Sequence, residues 1–308
     1  SKDNRLNDFD GLDVVFFEVK NIGSLVRAIV RIGKALLNWK ADYIQGWMFA
    51  GNIVAFLVGL LFKKKLYHSI RSSDMDLNRY RTQIFLNKIL SYFAVAIVFN
   101  SYRGAEHYTA LGFPNKNTLV IPNGIDTSKF YKCCTERAEI RKSIGLSEQQ
   151  LVILYAARVD PMKGHALILS LAEYNPAVVF LLVGSGTESL NLPDNAIALG
   201  MRSDMRKIYN ASDWLISLSN FGEGFPNVIG EAMACGLPVF ANNVGDSWRI
   251  IGSTGLRSVG ASVNEISTEL KQVLTVQRSQ DLSAVCANRI KTVFSVDCMV
   301  AEYVKLYK

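Results

Sequence analysis

Cysteine is sparse and without pattern: five residues, at 133, 134, 235, 286 and 298, none in C-x-x-C spacing. An odd, irregular set argues against a disulfide framework and against a zinc site, and it suits a reducing compartment. Long hydrophobic runs are missing too. The longest, "NIVAFLVGLLF" from Asn52 to Phe62, falls short of the about 20 apolar residues that a bilayer-spanning helix needs. The opening "SKDNRLNDFDG" is polar and does not read as a signal peptide. No segment is low-complexity or self-repeating, and the composition is ordinary for a globular protein, which excludes solenoids and disordered or collagen-like chains. With 49% apolar and 20% charged residues over 308 positions, the chain can bury one large core or two medium ones, and two domains suit this length better.

The charge is unevenly placed. Residues 1–125 carry 16 basic and 9 acidic side chains, whereas the remainder carries 18 of each, so the whole excess of +7 lies in the first half. In "NIGSLVRAIVRIGKALLNWK", Arg27, Arg31 and Lys34 fall on one helical face, and Leu25, Val26, Ile29, Val30 and Ile32 are expected on the opposite side. Lys63, Lys64 and Lys65 add a basic cluster. Two readings stay open: a solvated helix face, or attraction to anionic lipid headgroups at about 1 kcal/mol per basic residue. Nucleic acid is set aside as a partner, because no aromatic-basic interleaving accompanies the charge.

One rhythm runs through the chain. Short β-branched runs, "LDVVFFEV", "ADYIQG", "KLYHSI", "FAVAIVFN" and "NTLVIP", alternate with helix-length amphipathic stretches in the first 122 residues. "LVILYAA", "AVVFLLVG", "AIALG", "DWLISLS", "LPVFAN" and "GLRSV" repeat the pattern later. Strands apolar on both faces, separated by helices, predict parallel sheets covered on each side: an α/β architecture, doubly wound and present twice. The turn-rich and then charged segment from Pro122 to Ser143 marks the boundary.

Ligands in such sheets bind where strand carboxyl ends meet loops at the reversal of strand order. Arg158 and Lys163 sit five apart in "RVDPMKG", between a strand and a helix amino terminus, a set of cations that suits a diphosphate. In "EGFPNVIGEAMACGLPV", a helix is predicted from Asn227 or Val228 to Cys235, stopped by Gly236 and Pro238. Glu223 lies in the loop before it, and Glu231 points off its apolar face. Taken singly, each of these four residues also fits a solvated loop or a charge complementing a helix dipole.

Taken together, they carry a resemblance. "EGFPNVIGEAMACGLPVFANNVG" resembles the E-x(7)-E motif of retaining GT-B glycosyltransferases, in particular glycosyltransferase family 4. "YAARVDPMKGHALI", "VFLLVGSGTE" and "VIPNGIDTSKF" are similar to that family's phosphate-loop, glycine-strand and interdomain segments, in the family's order. The resemblance covers roughly residues 95–255.

It implies a GT-B fold of two Rossmann-like domains facing a cleft. Residues 1–122 would form the acceptor side and 123–293 the nucleotide-sugar donor side, with 294–308 a terminal helix crossing back. Arg158 and Lys163 match the pair that holds the donor diphosphate, Glu231 the acid that accepts from the ribose hydroxyls, and Glu223 the acid beside the transferred sugar. Gly224, Phe225, Asn227 and Val228 would present backbone to sugar and phosphates, with Gly184 in the neighbouring glycine turn. Met201 and Arg202 stand where the family holds the base. Arg71, Ser73 and Trp47 are the acceptor-side candidates. His68, inside a strand, is a poor general base and reads as a core residue.

The implied activity is a bacterial-type hexosyl transfer, metal-independent and retaining, in cell-surface polysaccharide biosynthesis. The donor would be a nucleoside diphosphate sugar, with uridine the base by family habit and guanosine next. The acceptor would be a glycan or a lipid-linked glycan, reached from the cytoplasmic side or the inner face of the cell membrane. No cofactor and no metal are expected: "DFD" at 8–10 and "DMD" at 74–76 match the metal signature of another glycosyltransferase fold, but neither falls in the donor half. The family's first strand, glycine-rich turn and helix are not found, so the first domain is expected to lack that unit. Two other classes stay in view. One is a nucleotide-sugar-binding subunit without catalysis; the other is a dinucleotide oxidoreductase, on the weak G-x-G-x-x-S of "GSGTES".

Overall fold

A computed structural model describes residues 21–73, 77–275 and 280–308. The run "LDVVFFEV", both Asp-x-Asp sequences and the expected gap in the first unit lie outside these residues or rest on ones that do. Four parallel strands, β1 (Tyr43–Trp47), β2 (Lys65–Ile70), β3 (Ala96–Phe99) and β4 (Thr118–Val120), form the first sheet in that spatial order. Each is followed or preceded by a helix: α1 (Ile22–Asn38), α2 (Met48–Leu61), α3 (Leu77–Ser91) and α4 (Tyr102–Ala110). Ala96 to Phe99 are buried along their whole length, as expected of a strand with helices on both faces.

The second lobe holds β5 (Val152–Ala156), β6 (Val179–Val183), β7 (Ala196–Ala198), β8 (Trp214–Ser217), β9 (Val239–Ala241) and β10 (Leu256–Arg257). Their spatial order is β10-β9-β8-β5-β6-β7, all parallel. The chain therefore starts at the centre, winds outward to β7, jumps back beside β5 and winds out the other way. Alternate residues of one strand feed two cores: Val152 and Leu154 pack with Ile229 and Met233 on one face, while Ile153 and Tyr155 pack with Ile168 and Leu171 on the other. The first face is covered by α8 (Asn227–Ala234) and α11 (Gln280–Val293), the second by α6 (His165–Tyr174) and α10 (Val263–Thr275).

A buried ionic clamp ties α5 (Cys134–Ser143) to the centre of this sheet. Asp213, at the start of β8, accepts from Arg141 Nη2 at 2.7 Å, Arg137 Nη2 at 2.8 Å and the Val152 N–H at 2.8 Å. Arg141 is almost wholly buried, and its other donors go to the carbonyls of Ala211, Ser147 and Gln150. Burial lowers its pKa and the Asp213 charge opposes that shift.

The last helix, α12 (Val296–Tyr307), leaves the second lobe and lies against the first. Ile125 and Phe294–Val296 exchange backbone hydrogen bonds where the two crossings meet. Tyr307 stacks on Tyr43 with ring centroids 4.6 Å apart and donates to Gln45, while Tyr303 packs beside Trp47 and its hydroxyl accepts from Arg71 Nη2 at 3.0 Å.

One expectation is corrected. Val26 and Val30 do not face inward with the rest of the apolar side of α1; they are 53% and 46% exposed and flank Arg27 and Arg31, while Ala28 and Leu36 make the buried stripe. Among the described residues α1 packs mainly on α2, with Gly33 lying directly against Phe62, which suits a narrow buried face.

His68 is fully buried in β2, with Nδ1 3.3 Å from Ser91 Oγ. Burial pushes its pKa down from 6.5 to about 4. The folded chain thus binds this proton less well than the unfolded one, so its contribution to stability is present above the ordinary value and is lost as pH falls from 6.5 towards 4. Replacing His68 by Gln is expected to remove about 3 kcal/mol of that acid-side loss, read from urea unfolding across the window. Asp213→Asn, which strands the buried Arg141 charge, is expected to cost about 3–5 kcal/mol in the same assay at neutral pH; a cost below about 1 kcal/mol would show that the clamp is solvated.

Candidate active site

The reversal of strand order falls between β5 and β8, whose residues Ile153 and Leu154 pair with Trp214 and Leu215. Helices leaving the two strands turn to opposite faces of the sheet, and in open α/β sheets ligands bind outside the strand carboxyl ends at such a reversal. The β5 loop runs through Arg158 and Asp160 into a single 3-10 turn, Pro161–Lys163, and then α6. Asp160 caps that turn, accepting from the Met162 N–H at 3.0 Å and from Arg158 Nη2 at 2.9 Å. Gly164 must be glycine: its φ is +73°, and a Cβ there would lie 2.8 Å from the Leu218 carbonyl oxygen of the β8 loop.

That close approach lets the loops interlock. Asn220 donates its N–H to Met162 O at 2.7 Å and its side-chain amide to Pro161 O at 2.8 Å. Lys163 Nζ pairs with Glu223 Oε1, and the same oxygen accepts from Ser219 Oγ at 2.8 Å. Both ends of the ion pair are largely shielded from water, with 18% and 13% of each side chain exposed. Tyr155 donates to the Lys163 carbonyl, and burial together with the Glu223 charge raises its pKa, which keeps it a donor.

Helix α8 begins at Asn227 after Pro226, with no side chain capping it and no acid in its first turn. Its first N–H groups have no intrahelical partners and the positive end of the helix dipole is uncompensated, which is a setting for an anion. Glu231 lies one turn in. Its carboxylate accepts from the buried Tyr209 hydroxyl at 2.8 Å. Burial raises the Glu231 pKa, and the Tyr209 hydrogen bond and the Lys129 charge offset part of that rise.

Other predicted residues separate into those drawn into this network and those left at its edge. Asn227 Oδ1 accepts from Asn123 Nδ2 at 2.8 Å, and Asn123 Oδ1 accepts from Arg71 Nη1 at 2.6 Å, so the first lobe reaches the start of α8 through two polar links. Ser73 is buried and donates to the Glu223 carbonyl. Arg71 lies 4.0 Å over the Trp47 ring and donates to Tyr303, so it is engaged within the protein. Phe225 is buried against Phe294, and Gly224 is buried beside Asn100 and Ser101. Val228 packs on the lower core, and Gly184 sits under the Ala157–Arg158 backbone. Met201 is 80% exposed at the end of β7, and Arg202 is paired with Asp204 at 2.6 Å. Arg158 is mostly exposed and, among the described residues, is bound to its own loop's Asp160 and Met162. The "GSGTES" turn leads into one 3-10 turn, Thr187–Ser189, and then β7, so no α-helix opens there to receive a dinucleotide's pyrophosphate.

Sequence reasoning missed Tyr209, Ser219, Asn123 and Asp246. The last accepts from the Tyr102 and Arg103 N–H groups at 2.8 and 2.9 Å, capping α4 across the two lobes. Nothing in the local spacing of these four announces a partner; each meets one 4 to 144 positions away.

The family model described as Glycosyl transferases group 1 matches residues 136–291, and that described as Glycosyltransferase Family 4 matches residues 7–129. The D-inositol 3-phosphate glycosyltransferase of Mycobacterium sp. (strain KMS) is 30% identical over 167 residues, 48% of this chain and 37% of that protein. The UDP-Gal:alpha-D-GlcNAc-diphosphoundecaprenol alpha-1,3-galactosyltransferase of Escherichia coli is 27% identical over 207 residues, 61% of this chain and 53% of that protein. The chain thus spans about half or less of the length of these relatives. Among solved structures, Anabaena HepE in complex with UDP-glucose superimposes with a TM-score of 0.82 at 20% identity, over 96% of this chain and 85% of that one, which is a likeness of fold.

The raised pKa of Glu231 makes a test of its burial. The folded state holds this proton more tightly than the unfolded chain, so the carboxylate costs stability once pH climbs past its ordinary range, and the cost is complete above the raised value. Glu231→Gln, still able to accept from Tyr209, is expected to raise Tm at pH 7, with the gain fading as pH falls to the ordinary carboxyl range of about 4. An unchanged or lower Tm at pH 7 would show that Glu231 is solvated.

Proposed function

The chain belongs to the family of glycosyl transferases group 1, and we propose that it moves a sugar from a nucleoside diphosphate, UDP by preference, onto a hydroxyl of a glycan or lipid-linked glycan, with retention of configuration, as a family 4 enzyme. The observation that carries this reading is the convergence, at one strand-order reversal, of the shielded Lys163–Glu223 pair and the uncapped start of α8. A donor diphosphate would lie over that helix start, where Lys163 and Arg158 neutralise the charge that grows on the departing phosphate. These fixed cations do the work a metal does elsewhere, so the reading assigns none.

Glu231 would accept from the ribose hydroxyls, a cis-diol suited to one carboxylate, with Met201 and Arg202 beside the base. Glu223 would orient the transferred sugar. One of its oxygens already accepts from Lys163 and Ser219, which suits a positioning acid better than a nucleophile. Attack by the acceptor on the face the phosphate leaves, with a phosphate oxygen taking the acceptor proton, then needs no enzymic base. The names of the mycobacterial and E. coli relatives, with their inositol phosphate and lipid diphosphate acceptors, support an acceptor of that general kind.

Association with the inner face of the membrane is part of the same proposal. No helix among the described residues is long and apolar enough to cross a bilayer. The exposed side of α1 combines Arg27, Arg31 and Lys34 with Val26, Val30, Leu37 and Trp39, and Phe85, Tyr92 and Phe93 are exposed on and after α3. Cations beside apolar side chains suit an anionic interface.

Thermal-shift titration with UDP, GDP and their sugars tests the donor site. UDP is expected to raise Tm in a concentration-dependent way, with the shift lost in Lys163→Ala and in Glu231→Ala; an undiminished shift in Lys163→Ala would remove that lysine from the site. Proton NMR of the first-formed product is expected to show the donor's anomeric configuration, and an inverted product would end the retaining assignment. Co-sedimentation with phosphatidylglycerol vesicles, but not phosphatidylcholine vesicles, is expected to fall with added salt and to drop in the Arg27→Ser/Arg31→Ser/Lys34→Ser variant.

A further inference from the structure

A second recess, of about 400 Å³, opens where the two lobes meet, between α4 of the first and the turn from β9 into α9 (Ser247–Ile251) of the second. Three guanidinium groups line it, Arg103 from α4, Arg249 from α9 and Arg257 from β10, against the carboxylates of Glu106 and Asp246. Asp246 is already committed, since its two oxygens accept from the first N–H groups of α4. With three guanidinium groups against two carboxylates, one of them held by these N–H groups, cationic charge prevails in the recess.

Two of the guanidinium groups are held by aromatic faces. Arg249 lies 4.0 Å over the Tyr102 ring and Arg257 lies 5.1 Å over the Trp248 ring. Stacking of this kind orients the planar fork while leaving in-plane N–H donors for a ligand. The only other contact of the Arg257 head group among the described residues is a long one, 3.5 Å to Gly252 O. The same stacking covers the ring faces on which a neutral sugar would rest, so the recess suits a tetrahedral oxyanion better than an uncharged glycan.

The Asp246 N–H donates to Gly224 O at 2.9 Å, and Gly245 approaches so closely that a Cβ would lie 2.6 Å from the carbonyl oxygens of both Glu223 and Gly224. The recess thus shares a wall with the loop that carries Glu223. We propose that it binds a phosphate group of the acceptor, on a soluble sugar phosphate or on a lipid diphosphate, and so sets the acceptor beside Glu223. This rests on the glycosyltransferase reading above.

Isothermal titration of protein saturated with UDP, so that the donor diphosphate site is filled, tests it with three probes: glucose 1-phosphate, farnesyl diphosphate and methyl α-glucoside. Both phosphates, or one of them, are expected to bind more tightly than the uncharged glucoside, and the preferred phosphate names the source. Arg103→Gln and Arg257→Gln are each expected to weaken that binding about tenfold or more, as a lost charge-assisted hydrogen bond does. Glu106→Gln, which removes an opposing charge, is expected to tighten it, a gain that misfolding cannot mimic. Equal binding of glucoside and phosphates, or phosphate binding indifferent to all three substitutions, overturns the recess while leaving the donor site intact. Failure of the wild-type protein to bind UDP in the first step overturns the glycosyltransferase reading, and the acceptor assignment with it.

Discussion

The contact on which the arrangement of these loops depends is the ion pair between Lys163 and Glu223, made between the loops that leave the paired strands β5 and β8. Two loops that leave adjacent parallel strands for opposite faces of a sheet have no reason of their own to stay together. Here they are held by that pair, by the Asn220 bonds to Pro161 and Met162, and by a glycine that lets the backbones touch. An ion pair this well shielded from water resists both screening and hydration more than a surface pair does. It therefore keeps a cation and a carboxylate fixed in place, which is the preorganisation that the proposed stabilisation of a charged leaving group would require.

The same economy of partners extends over the whole site. Arg158 has Asp160, Arg202 has Asp204, and Glu231 has Tyr209. Each of the two arginines is partnered within its own loop and is about a third exposed or more, so in the proposed reading a ligand oxygen would replace or share the carboxylate at little cost. Glu231 differs, because burial makes its ionised form expensive and an incoming pair of hydroxyl donors would relieve that expense.

Contacts between lobes act on this site from the other side of the crevice. Ser73 touches the Glu223 backbone, Asn123 links Arg71 to Asn227, and Asp246 caps α4 with a side chain from the opposite lobe. Helix α12 adds an aromatic seam on the first sheet through Tyr303 and Tyr307. Relative motion of the lobes would have to break these bonds, so any closure would be coupled to the arrangement around Glu223.

Much of the fold was legible in the amino-acid order because its signals are local. All ten described strands coincide with the β-branched runs, and α8 begins at Asn227 as expected and ends at Ala234, one residue before the expected Cys235. Parallel sheets followed from apolarity on both faces, and the ordered motifs led to Arg158, Lys163, Glu223 and Glu231 as a group. What only the tertiary structure decided are the pairings: Lys163 with Glu223 sixty positions on, Glu231 with Tyr209, Asp246 with α4, and the outward turn of Val26 and Val30. Periodicity reports which residues share a face of one element, whereas burial and hydrogen bonding depend on which distant elements cover that face, and no neighbour in the chain carries that information.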